Sequence, residues 1–205
     1  MFCVSIADVS VSASIKAIKS HDLAEIRLDR MRLSPKDMKK VFSSGKNIIA
    51  SFRPGRVSDK ERLEQLKMAI DNGAAYVDVE LDSSSDLKNK IIKYAKSNRC
   101  KLIISYHNYD ATPPKEKLYK IVDKCKALSP DVIKIACKSN SKRDNARLLS
   151  LLDSDVDMIV IGMGKEGVIT RFLAPRLGAF CTYVSVSEKV RTAEGQLTKK
   201  ELERL

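Results

Sequence analysis

Tryptophan is absent from this sequence, and histidine occurs only at positions 21 and 107. So few imidazoles speak against a histidine-rich metal centre. Glycine (8 residues) and proline (6 residues) are also scarce, which excludes a collagen-like or low-complexity chain. No apolar run approaches the roughly 18 residues that a membrane-spanning helix requires. The opening stretch "MFCVSIADVS" enters a strand-like run directly, without the basic start and long apolar centre of a secretory signal. A soluble, cytoplasmic protein with no membrane partner is expected. The five cysteines agree with that compartment: the number is odd and no CxxC spacing occurs, so neither a disulfide framework nor a zinc site is supported. Cys3, Cys137 and Cys181 lie in apolar strand-like runs and read as core residues.

Acidic residues are outnumbered, with 26 Asp and Glu against 38 Lys and Arg and a net charge of +12. Such an excess suits either nucleic acid or a small anionic substrate. Nucleic-acid binding needs clustered basic residues with interleaved aromatics. Here the lysines are dispersed over many helical stretches and aromatics make up only 5%. A small anion is therefore the expected partner, and nucleic acid is not. Hydrophobic residues reach 43% of 205, enough for the core of one domain spanning 1–205, and no linker or composition shift divides it.

Short apolar runs alternate with amphipathic stretches throughout. The strand candidates are "FCVSIA", "LAEIRLD", "NIIASFR", "AYVDVEL", "KLIISYH", "DVIKIAC", "DMIVIGM" and "AFCTYVS". Between them, "KLYKIVDKCKAL" shows helical period, with Leu118, Ile121, Val122, Cys125 and Leu128 on one face. Ser34-Pro35 offers an N-cap followed by proline at the first helical position, and Ser58/Glu61, Ser141/Asp144 and Thr198/Glu201 have capping-box spacing. Gly45, Gly73 and Gly178 stand where helix-ending glycines are expected. Eight βα units imply parallel strands and an α/β fold, the (β/α)8 TIM barrel. The open doubly wound alternative requires a glycine-rich turn after the first strand, and "SIADVSVSAS" contains no glycine.

In a (β/α)8 barrel the chemistry sits at the carboxyl ends of the strands. Alternation places Glu25, Arg27 and Asp29 on one face of the second strand. Arg53 closes the third, Ser105 and His107 share a face in the fifth, and Lys134 interrupts the apolar sixth. Each residue alone has an ordinary explanation as an ion pair or surface group. Together they converge on one mouth if the barrel forms. Lysine attacks a ketone only as the free amine, and burial or nearby cations disfavour its ammonium form. The resulting protonated imine is an electron sink that acidifies adjacent C–H bonds. Imidazole, titrating near 6.5, suits the proton transfer, which points to His107. The glycine-rich "GMGKEG" (162–167) offers a weak phosphate-cradle alternative without Walker spacing.

These motifs, in this order, resemble the type I 3-dehydroquinate dehydratase family, the Schiff-base-forming dehydratases of the shikimate pathway. The resemblance runs nearly end to end. It rests on "EIRLD", the "FR" closing the third strand, "SYHN", "VIKIA", "GMG" followed by "ITR", and "GQL" after the eighth strand. It implies dehydration of 3-dehydroquinate to 3-dehydroshikimate by a homodimer with no metal and no organic cofactor. It also implies that Lys134 forms the imine and His107 moves the proton. Glu25, Arg27 and Arg53 would contact substrate, and Arg171 would pair with its carboxylate, a task that suits a planar guanidinium fork. Gln196 would belong to the loop closing over the substrate, with Thr192 where the family often has serine. Ser5 is a weaker match to a substrate contact. A class I aldolase, the rival that shares a Schiff-base lysine, lacks support from "SYHN" and "ITR".

Two departures stand out. Val57 occupies the place of a glutamate that supports the family's catalytic histidine, with Asp59, Glu61 or Glu80 as possible replacements. Glu194 stands where the family's loop usually has proline, and the loss of proline is expected to loosen the loop. Lys138, where "DVIKIACK" gives way to "SNSKRD", is expected to face solvent.

Overall fold

The computed structural model describes residues 1–55 and 57–204. They fall into two compact units, one covering Cys3–Ile103 and the other Ile104 onward together with Met1–Phe2.

The first unit carries β1 (Phe2–Ile6) from Cys3 on, α1 (Val11–Lys19), β2 (Leu23–Arg27), α2 (Pro35–Phe42), β3 (Ile48–Ser51), α3 (Asp59–Asp71), β4 (Tyr76–Glu80) and α4 (Ser85–Ser97). Its strands lie in the order β4-β3-β2-β1, all parallel, with Ser5 opposite Glu25, Glu25 opposite Ile49, and Ser51 opposite Asp78. Consecutive parallel neighbours require a helical crossover each time, which is what the alternating pattern dictates. The strands are buried almost throughout, so their carboxyl ends are the places where polar groups become conspicuous.

The second unit carries β5 (Lys101–Asn108) from Ile104 on, α5 (Lys115–Lys126), β6 (Val132–Lys138), α6 (Lys142–Leu149), β7 (Asp157–Met163), α7 (Val168–Leu173), β8 (Thr182–Ser185) and α8 (Lys199–Leu202). Strand β6 lies between β5 and β7, and pairs with β7 so that Lys134 faces Ile159. The amide of Thr182, opening β8, donates to the Met1 carbonyl at 3.1 Å.

The caps form as expected. Ser34, Ser58 and Ser141 accept from the amides of Asp37, Glu61 and Asp144, and Thr198 with Glu201 completes a reciprocal capping box. In α5 the stripe of Leu118, Ile121, Val122 and Cys125 is buried, while Leu128 lies past the helix end and is half-buried. Gly178 ends its segment in the left-handed region at φ 94°. Gly45 does not. Its place is fixed by packing, since a Cβ there would lie 2.5 Å from Ile18 Cγ2. All five cysteines are buried, and none is in a disulfide.

Two strands are shorter than the apolar runs suggest. Strand β2 stops at Arg27, because Leu28–Arg30 turns into a short 3-10 segment and carries Asp29 out of the strand. Strand β3 stops at Ser51, two residues before Arg53. Pro54 follows Arg53 and offers no N–H to a continuing ladder.

Candidate active site

In the second unit, Lys134 lies in the middle of β6 with 3% of its surface exposed. Its Nζ sits over the ring of Tyr183 on β8, 4.0 Å from the centroid. The negative face of that ring attracts a cation at Nζ. The carbonyl of the same Tyr183 accepts a 3.4 Å hydrogen bond from Nη1 of Arg171, on α7. Arg171 is 1% exposed. Its Nε and Nη2 have no hydrogen-bond partner among the described residues. Burial alone pushes its guanidinium down to about 10, with no neighbouring carboxylate to oppose the shift. An uncompensated cation in such a place is costly unless an anion completes it. Tyr183 thus touches both the buried amine and the buried guanidinium, a role that nothing in the alternation of "AFCTYVS" singled out.

His107 projects from β5, on the strand beside β6, half-buried, with its ring stacked on Tyr109 at 6.0 Å between centroids. The following turn is fixed by Asn108, whose Oδ1 accepts from the amides of Asp110 and Ala111 at 3.0 Å each. Cys137, on β6, is pushed up to about 12 chiefly by burial, so it remains a thiol.

Gln196 is buried, and its Oε1 accepts from the amide of Thr192 at 2.7 Å and from Thr192 Oγ1 at 3.0 Å. The two loop residues therefore hold each other. In the glycine-rich stretch the three glycine amides are taken within the protein. Gly162 donates to Thr170 Oγ1, Gly164 to the Glu194 carbonyl and Gly167 to the Gly164 carbonyl. Its glycines serve close packing, for a Cβ on Gly167 would lie 2.4 Å from the Gly162 carbonyl oxygen. Lys138 does not simply face solvent either. It completes β6, and its Nζ lies 2.7 Å from Glu194 Oε2.

In the first unit, Arg53 is enclosed by carboxylates: Asp78 at 2.7 Å, Glu80 at 2.7 Å and Glu25 at 3.7 Å. Burial works against its charge, but Asp78, Glu80 and Glu25 outweigh it and hold the guanidinium well above its ordinary value. Ser5 Oγ donates to Glu25 Oε2 at 2.7 Å. Arg27 does not pair directly with Glu25 at hydrogen-bond distance. It grips Asp29 with two bonds, at 3.0 and 2.7 Å. Asp78 shares the strand face of Tyr76 and Glu80, and nothing in the local pattern marks it as a partner of Arg53. Of the three acids considered as stand-ins at Val57, Glu80 is engaged by Arg53 and Asp59 by Arg62 and Ser84, while Glu61 sits at the start of α3. Among the described residues no cluster of His, Cys, Asp and Glu is arranged to hold a metal ion.

The family model for type I 3-dehydroquinase matches residues 2–205. The chain belongs to that family. A 3-dehydroquinate dehydratase of Methanocaldococcus jannaschii is 35% identical over 100% of this chain and 98% of the relative. Among solved structures, the 3-dehydroquinate dehydratase of Aquifex aeolicus VF5 is 29% identical, with a TM-score of 0.83 over 100% of this chain and 96% of the other. That of Geobacillus kaustophilus HTA426 reaches a TM-score of 0.84 at 21% identity, covering 99% and 88%. These likenesses bear out the fold class, an α/β (β/α)8 barrel.

Proposed function

We propose that this type I 3-dehydroquinase dehydrates 3-dehydroquinate to 3-dehydroshikimate through an imine on Lys134, with His107 as the proton carrier. The observation that carries the reading is the pairing, through Tyr183, of a buried amine with a buried guanidinium that lacks an anion. A ketone that also bears a carboxylate fits both groups at once.

The Lys134 amine adds to the substrate ketone, and water leaves as the protonated imine forms. His107 takes a proton from the adjacent carbon, and the C–H electrons flow into the iminium to give an enamine. The enamine expels the hydroxyl, which leaves as water with the proton returned by His107. Water then hydrolyses the imine and restores the ketone and the lysine. The iminium is the electron sink, so the proposal includes no metal and no organic cofactor. Arg171 holds the carboxylate bidentately, and Gln196, with Thr192, belongs to the loop over the substrate. Ser5, Glu25, Arg27 and Arg53 are proposed as substrate contacts on the family resemblance, together with their place near strand carboxyl ends in the first unit. One catalytic domain spanning 1–205, a homodimer and a cytoplasmic location complete the reading. No helix among the described residues is long and apolar enough to cross a membrane.

Borohydride added with 3-dehydroquinate should trap a covalent adduct on the Lys134 peptide. The His107→Ala variant should still be trapped while turning over orders of magnitude more slowly. An unmodified Lys134 peptide, or near-normal turnover without His107, would sink the mechanism.

A further inference from the structure

The segment following β8 is anchored at two places. At its far end the amide of Ser185 donates to the Leu197 carbonyl at 2.9 Å, and Ser185 bridges to Thr198. Nearer its middle, Glu194 meets two different elements. Its carbonyl accepts from the Gly164 amide at 3.2 Å, in the loop after β7, and its carboxylate lies 2.7 Å from Lys138 Nζ at the end of β6. The three residues are in mutual contact. A Cβ on Gly164 would stand 3.4 Å from Lys138 Cε and 3.7 Å from Glu194 Oε1. Gly195 allows the approach. Its φ is 73°, and a Cβ there would lie 2.6 Å from the Gly164 carbonyl oxygen, so a bulkier residue would lift the loop away. The next residue is Gln196, buried and turned toward Thr192.

We infer that Lys138 and Glu194 are positioning residues that latch the substrate-covering loop to the strand bearing Lys134, and so set Gln196 in place. Lys138 lies four residues beyond Lys134 on β6, about 13 Å along the strand at the usual rise. The loop is thereby tied to the catalytic strand by charge. This ion pair offsets the absence of the proline that usually stiffens the family's loop, so the position expected to loosen it is the one that fastens it. The latch is part-exposed, with side-chain exposures of 32% and 63%, which makes it weak enough to open in each cycle and sensitive to salt.

The inference rests on the proposed dehydratase function, and the test separates the two. Lys138→Met and Glu194→Gln are each expected to raise KM for 3-dehydroquinate about two- to fivefold without lowering kcat, the range typical of such pairs. Amide hydrogen exchange at Gly164 should accelerate in both. The charge-swapped double variant Lys138→Glu/Glu194→Lys should return KM and exchange toward the parent values. Parent-like KM in the single variants, a fall in kcat at constant KM, or a double variant no better than the singles would overturn the latch. Borohydride trapping of Lys134 in the same preparations reports on the chemistry separately. Adducts that form equally well in the parent and in variants with unchanged KM overturn the latch and leave the mechanism standing. A parent that is never trapped overturns the mechanism itself.

Discussion

Arg171 is the residue whose surroundings most plainly await something. A guanidinium buried without a carboxylate costs stability at any pH below about 10, and the cost fades only above that value, where the folded chain has lost the proton that the unfolded chain still holds. Arg171→Met should therefore raise KM by one to two orders of magnitude, through loss of a charge-assisted bidentate contact. The same substitution should leave the melting temperature of the free protein unchanged or higher, as measured by calorimetry. A large drop in that temperature would show that the arginine serves the fold instead. Lys134 was legible in the sequence because an ammonium in an apolar strand breaks the pattern. Arg171 was legible only through the "ITR" resemblance, since helical spacing does not distinguish a buried arginine from a surface one. Tyr183 gave no signal at all, being an ordinary aromatic in an ordinary strand.

At the scale of elements, the period-2 reading located the strands that bear Glu25, His107 and Lys134, but not where each strand ends. Asp29 leaves β2 in the 3-10 segment Leu28–Arg30, where Arg27 takes its carboxylate, and Arg53 lies past β3 ahead of Pro54. Partners across strands were beyond the reach of local pattern: the cage of Asp78, Glu80 and Glu25 around Arg53 depends on the parallel register, which no single segment contains. Removing the central cation would leave three buried carboxylates facing one another. Arg53→Met should cost about 3–5 kcal/mol in denaturant unfolding, the penalty for breaking a buried ionic cluster on one side. A loss below about 1 kcal/mol, the value of an exposed pair, would show that the cage is solvated and not structural.

For the molecule as a whole, the scarcities proved as informative as the motifs. Few glycines and no fingerprint turn left the (β/α)8 class as the reading, and the match across residues 2–205 supports it from one end to the other. The proposed homodimer should sediment at twice the chain mass of 22.9 kDa, and a single species at that mass itself would exclude it. The missing tryptophan has one more consequence. Ultraviolet absorption near the red edge of the protein band comes here from six tyrosines alone, and Tyr183 holds its ring against Nζ of Lys134, the proposed imine nitrogen. If the proposed imine forms there, one tyrosine in six should report it as a small ultraviolet difference signal, and a Tyr183→Phe variant should lose that signal.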